Sequence, residues 1–285
     1  MIDFPIVDSH VHLADPSRFG YAWTKNAPSL DREVLPEHLT EAAKPHRIGS
    51  FVFVEVDVDP PNHVEEARWV SSLAKDDPRL EGIVASLPLE QGPAVAADLE
   101  RLAELPELRA IRRLIQTQPD PDFCLQPAFL AGLNLLPAHD LAFDICVLHH
   151  QMPQVIEMVR RSPDVRFVLD HIGKPGIEAG LFDPWRQHMR TLAAFPNVFC
   201  KISGVATEAD HQNWTQEQLR PYIEHALDCF GFDRAMYGGD WHVLELAGTY
   251  PEWVDIVDWV VAEASQDERR KLFRDTAIRF YRLDA

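Results

Sequence analysis

Residues 5–13 read PIVDSHVHL, an apolar run that ends in two histidines one residue apart. In an extended strand the side chains at i and i+2 share a face, so His10 and His12 project together from its carboxyl end. Two imidazoles placed this way form a pincer for a cation or an oxyanion once a third partner arrives from elsewhere in the chain.

The same kind of run recurs seven times: GSFVFVEVDV (49–58), LEGIVASLPL (80–89), LRAIRRLI (108–115), LAFDICVLHH (141–150), RFVLDHIG (166–173), NVFCKISG (197–204) and RAMYGGDWH (234–242). Helical periodicity fills the intervals, at 35–47, 62–76, 93–104, 126–139, 151–162, 184–195, 217–231 and 250–264, and the amphipathic DERRKLFRDTAIRFYRL follows the last. Eight strands alternating with eight helices predict an α/β fold of the (β/α)8 TIM-barrel type, because a doubly wound sheet usually stops at about five or six strands. No linker, repeat or low-complexity segment interrupts the pattern, so residues 1–285 read as a single domain. The connection after the first strand, ADPSRFGYAWTKNAPSLDRE, carries Tyr21 and Trp23 without periodicity, as expected of a lid or a disordered loop at the barrel mouth.

The 45 acidic and 27 basic residues give a net charge of −18, which argues against nucleic acid or an anionic membrane as partner and favours a small solute. Cys124, Cys146, Cys200 and Cys229 lack C-x-x-C spacing and read as buried thiols of a reducing compartment. MIDFPIVDSH has neither the basic nor the apolar part of a leader, and no window approaches the roughly 20 apolar residues of a membrane span. A cytoplasmic location is the expectation.

A TIM barrel builds its active site from the carboxyl ends of its strands. His10 and His12 fall there from strand 1, Glu55 and Asp57 from strand 2, Ser86 from strand 3, and Arg112 and Arg113 from strand 4. Strand 5 supplies His149 and His150, strand 6 Asp170 and His171 with Lys174 beyond, strand 7 Lys201 and Ser203, and strand 8 Asp240, Trp241 and His242. Ionisable groups in apolar strands are costly unless paired, metal-bound or used, and here they gather at one end. One of His149 and His150 faces inward, as does one of Arg112 and Arg113; Glu55 is a ligand, a partner for a histidine, or a rim acid. Two glycines before Asp240 let the backbone approach a ligand closely.

DSHVHL, LDHIGKP and YGGDW together resemble the amidohydrolase superfamily, in particular the sugar-lactone hydrolases of its amidohydrolase-2 branch, over nearly the whole chain. The resemblance implies hydrolysis of an aldonolactone such as L-fuconolactone or L-rhamnonolactone. Asp240 would act as general base, and a metal or protonated histidines would polarise the carbonyl. Relatives with two bridged metals carry a lysine or glutamate after strand 4, and LRAIRRLIQTQ offers neither. The resemblance therefore implies one divalent cation, zinc by its N/O ligands, held by His10, His12 and Asp240 with His171 or Glu55. His171 is also a catalytic candidate. Arg112 or Arg113, His149 or His150, Lys174 and Trp241 are the substrate-side candidates. The rival readings are a dicarboxylic-lactone hydrolase, a metal-dependent decarboxylase, and a barrel that binds ligand or metal without turnover.

Overall fold

A computed structural model describes residues 2–285. Eight parallel strands form one sheet in sequential order: β1 (Ile6–Val11), β2 (Ile48–Val54), β3 (Leu80–Ser86), β4 (Leu108–Arg112), β5 (Ala142–Ile145), β6 (Arg166–Leu169), β7 (Val198–Ile202) and β8 (Ala235–Tyr237). The ring closes just past β8, where Val11 bridges in parallel to Trp241, the His12 N–H donates to the Trp241 carbonyl at 2.7 Å and the Asp240 N–H donates to the His10 carbonyl at 2.9 Å. Helices α1 (Pro36–Ala42), α2 (His63–Leu73), α3 (Ala96–Ala103), α4 (Pro127–Leu133), α5 (Met152–Arg161), α6 (Trp185–Ala193), α7 (Gln216–Phe230) and α8 (Tyr250–Val260) cover the outside. The fold is the (β/α)8 TIM barrel that the alternation of patterns predicts.

The expected strands overrun at their carboxyl ends. β5 stops at Ile145 rather than 150, and β8 at Tyr237 rather than 242. There the chain leaves the ladder in conformations that pattern alone does not encode: Asp57, His171, Ile172, Lys174 and Asp240 all have φ between 46° and 56°. Non-glycine residues in the left-handed region cost about 1–3 kcal/mol each and concentrate at working sites. The long connection after β1 contains two 3-10 turns, Ala22–Asn26 and Pro28–Leu30, and an antiparallel bridge between Ala14 and Val34, so it is an ordered cover over one side of the mouth.

The last amphipathic stretch divides into α9 (Gln266–Arg270), a π turn (Lys271–Asp275) and α10 (Thr276–Tyr281). Its apolar side chains Ala277, Phe280, Tyr281 and Leu283 pack against Val7, Val52, Val84, Ala110, Ala142, Val168 and Met236. Small residues at 110 and 142 leave the lumen open, and this segment closes it from the amino-terminal end. Tyr281 reaches furthest, its hydroxyl donating to Asp144 Oδ2 at 2.7 Å. A hydrogen bond to a buried charged group is worth about 1.5–3 kcal/mol, so Tyr281→Phe should lower stability by that amount in urea unfolding. An unchanged midpoint would show that Asp144 does not depend on the hydroxyl.

Among the described residues all four cysteines are free, and no helix is long and apolar enough to cross a membrane.

Candidate active site

The bend that carries the two histidines is set from beneath. Asp8 is fully buried and accepts from the His10 N–H at 2.9 Å, the Gly239 N–H at 2.8 Å and the Tyr250 hydroxyl at 2.7 Å, while burial pushes its carboxyl up to about 6. The register of β1 on β2 shifts between Asp8 and Val11, so that His10 and His12 both face the lumen with ring centroids 4.9 Å apart. The glycine pair before Asp240 serves this wall rather than a ligand. A Cβ on Gly238 would lie 2.9 Å from His10 Cβ, and one on Gly239 would lie 2.5 Å from Asp8 Oδ2.

His12 Nδ1 lies 2.8 Å from the Val54 carbonyl, which can only accept, so this nitrogen donates and Nε2 is the one turned to Asp240. His12 Nε2 lies 3.3 Å from Asp240 Oδ1, and His10 Nε2 lies 3.7 Å from the same oxygen. Two imidazole nitrogens converge here on one carboxylate oxygen. The ligand atoms of His10, His12 and Asp240 fall within 4.8 Å of one another, so these residues fit a divalent cation with an open coordination position. His10 Nδ1 in turn lies between opposite charges, 3.2 Å from the Lys201 ammonium and 3.4 Å from Asp170 Oδ1.

The other oxygen of Asp240 turns toward His171, whose Nδ1 is 3.8 Å away and 3.0 Å from Ser203 Oγ. This approach needs Gly204, where an added Cβ would lie 2.5 Å from His171 Nδ1 and 2.9 Å from Asp240 Oδ2. Burial alone would raise the Asp240 carboxyl, but the imidazoles of His171, His12 and His10 bring it well below its ordinary value. Burial lowers His171 to about 4 and takes His10 down as well. At neutral pH these two rings are uncharged, suited to ligation and proton acceptance rather than to the cationic role that protonated histidines would need.

The remaining candidates divide. Arg112 faces inward and Arg113 outward: Arg112 Nε donates to Glu55 Oε1 at 2.6 Å and its Nη1 approaches Asp170 Oδ2 at 3.2 Å, whereas Arg113 is held by Glu90 at 2.6 Å. Glu55 is thereby engaged as the partner of Arg112, with its second oxygen accepting from the Asp57 N–H at 2.8 Å, and it lies outside the His10, His12 and Asp240 cluster. His149 and His150 are both misplaced by the expectation. They sit in a 3-10 turn, His149–Gln151, beyond the end of β5, and neither lines the cavity. Trp241 is also removed from the substrate side, its ring buried and its Nε1 donating to Glu245 at 3.0 Å. Trp23 supplies the aromatic wall instead, anchored by Nε1 donating to the Val56 carbonyl at 2.6 Å.

Beneath the histidines lies a buried layer that strand-end reasoning reached only in part. Lys201 Nζ is 2.6 Å from Asp144 Oδ2, 3.0 Å from Asp170 Oδ1 and 3.2 Å from His10 Nδ1, all with no exposed side-chain surface. Above the histidines opens a cavity of about 220 Å³, lined by Trp23, Asp57, Arg112, Gln116, Thr117, Cys146, His171, Lys174 and Asp240 among others. Its size suits a small solute.

Comparison with known proteins finds similar chains. An L-fucono-1,5-lactonase of Burkholderia ambifaria is 32% identical over 98% of this chain and 96% of its own, and one of Burkholderia multivorans is 33% identical over 97% and 96%. The crystal structure of an amidohydrolase from Burkholderia multivorans with bound zinc superposes with a TM-score of 0.87 at 31% identity, covering 98% of this chain and all of that one. The amidohydrolase family model matches residues 7–283, and with the His10, His12 and Asp240 cluster at the mouth of an eight-stranded barrel, the chain belongs to the amidohydrolase family.

Proposed function

We propose that the protein hydrolyses a neutral, sugar-derived lactone such as L-fuconolactone or L-rhamnonolactone to the open aldonic acid. The observation that carries this reading is the state of the cavity's cations. Arg112 is committed to Glu55 and Asp170, and the Lys174 ammonium lies 3.2 Å from Glu208, which holds it above its ordinary value despite burial. A dicarboxylic lactone would need cations free to meet its carboxylates, whereas a ring of hydroxyls needs Asp57, Gln116 and Thr117, with an apolar face for Trp23. The likeness to two L-fucono-1,5-lactonases supports the same choice.

His10, His12 and Asp240 Oδ1, with His171 alongside, would hold one divalent cation, for which the neighbouring structure's zinc is the model, and which when bound supplies Lewis-acid polarisation of the lactone carbonyl. Asp240 Oδ2 accepts a proton from the attacking water as its oxygen bonds to the carbonyl carbon. When the bond between that carbon and the ring oxygen breaks, Asp240 returns the proton to the departing alkoxide. His171, anchored by Ser203, keeps Oδ2 turned toward the cavity.

A pH-indicator assay over neutral aldonolactones and dicarboxylic lactones, with and without a chelator, tests the reading. At least one neutral aldonolactone should reach a kcat/KM of about 10⁴ M⁻¹ s⁻¹ or more, with activity lost to the chelator and restored by zinc. Turnover confined to dicarboxylic substrates, or absent throughout the panel, would overturn it.

A further inference from the structure

The structure assigns to Asp57 the charge preference of the cavity: its carboxylate takes a hydroxyl of the neutral lactone and repels both carboxylated lactones and the carboxylate that ring opening creates. This rests on the lactone reading above. Asp57 lines the cavity at the end of β2 and is partly buried, yet among the described residues its side chain makes no hydrogen bond or ion pair. The cations around it all have partners. Arg112 is held by Glu55 and Asp170, Arg113 by Glu90, and Lys174 by Glu208. The unpaired charge presented to a ligand at this side of the cavity is therefore negative.

The presentation is built. Asp57 has φ of 56°, and its N–H donates to Glu55 Oε2 at 2.8 Å while Arg112 grips the other Glu55 oxygen and also donates to the Glu55 carbonyl. The same clamp that fixes Arg112 thus turns the Asp57 backbone out of the strand and toward the cavity rim. A bland alternative exists, since aspartate tolerates the left-handed region better than most residues and can sit in a turn for that reason alone. Asparagine tolerates it equally. Asp57→Asn therefore keeps the backbone and removes only the charge.

Hydrolysis converts an uncharged ring into an anion within this cavity. An unpaired carboxylate lining the same cavity leaves the lactone bound and disfavours the product, so that release of product is assisted by the group that helped to bind the substrate. The expected result for Asp57→Asn has two parts. KM for the neutral lactone rises about tenfold with kcat little changed, from loss of an ionised hydrogen-bond acceptor. The inhibition constant of the aldonate falls about tenfold, and kcat/KM for a carboxylated sugar lactone gains by a similar factor relative to the neutral one.

Calorimetric titration of the zinc-loaded protein and its Asp57→Asn variant with L-fuconate and with the uncharged L-fucitol reads the same preference without turnover. The ratio of their dissociation constants should shift about tenfold toward the anion in the variant. A ratio unchanged within about twofold, or binding of neither compound to either protein, overturns the assignment. Failure of the wild-type protein to hydrolyse any lactone would count against the lactonase reading alone, because the binding ratio does not depend on it.

Discussion

Asp240→Asn is expected to lower kcat by at least about 10³-fold while the barrel stays folded. The carboxylate has two oxygens in two surroundings: Oδ1 faces His12 and His10 at 3.3 and 3.7 Å, and Oδ2 lies toward His171 at 3.8 Å. Asparagine keeps the shape, but its amide neither removes a proton from water nor ligates with charge. Stability should hold, because the amide has the carboxylate's shape and can turn either its oxygen or its N–H₂ toward His12 Nε2, 3.3 Å from Oδ1. The imidazole surroundings keep Asp240 ionised well below neutrality, so the ratio of wild-type to variant kcat should be the same at pH 6 and pH 8. Thermal unfolding, metal analysis and the indicator assay together decide the matter. Activity near wild type in the variant would remove Asp240 from the reaction, and a loss accompanied by unfolding would move its role into the fold.

The part of the site that the sequence made legible is the part that strand periodicity governs. His10 and His12 are adjacent on one face because Val11 between them turns to the outer core, and the register shift between Asp8 and Val11 leaves that alternation in place. His171 and Asp240 were legible from their place after an apolar run. His149, His150 and Trp241 failed for a common reason: strands were extended through residues that have already left the ladder, so facing was deduced from a period that no longer applied. Asp144 lies inside β5 rather than past its end, so strand-end position does not select it, and the signal is a lone acid inside AFDI, since an unpaired carboxylate in a buried strand demands a partner. No local rule pairs it with Lys201 and Tyr281, which lie 57 and 137 residues away. Trp23 was noticed only as part of a long loop, because its place opposite the catalytic cluster depends on the cover folding back over β2.

The burial of charge in this molecule follows one plan. Each cation in the lumen meets a carboxylate from another strand: Arg112 of β4 with Glu55 beyond β2, and Lys201 of β7 with Asp144 of β5 and Asp170 beyond β6. These pairs replace side-chain packing across the upper lumen, where the inner wall below them is apolar. Buried pairs are weak sources of net stability but are costly to break. Their benefit here is positional, because the Lys201 and Asp170 pair flanks His10 Nδ1, and Glu55 holds the Asp57 N–H.

Lys201→Met tests that plan at its centre. Methionine fills much the same volume, so the change removes charge without opening a large cavity. Asp170 would keep Arg112 at 3.2 Å, but Asp144 would keep only the Tyr281 hydroxyl. Leaving an uncompensated buried charge costs about 3–5 kcal/mol, a large share of the roughly 5–15 kcal/mol that holds a domain together. The pH dependence identifies the charge responsible. Burial pushes Asp144 from 3.8 up to about 6 against the opposing pull of Lys201, and without that pull its folded value rises further. Between the unfolded and folded values the folded state binds the extra proton, so stability falls as pH rises through this window. The deficit of Lys201→Met relative to wild type should therefore be largest at pH 8 and shrink toward pH 5 in urea unfolding. Adding Asp144→Asn to Lys201→Met should recover most of the loss at pH 8, since it removes the carboxylate left without a partner. A deficit that does not change with pH, or that the second substitution leaves in place, would mean that lost packing and not unpaired charge is what the lysine supplies.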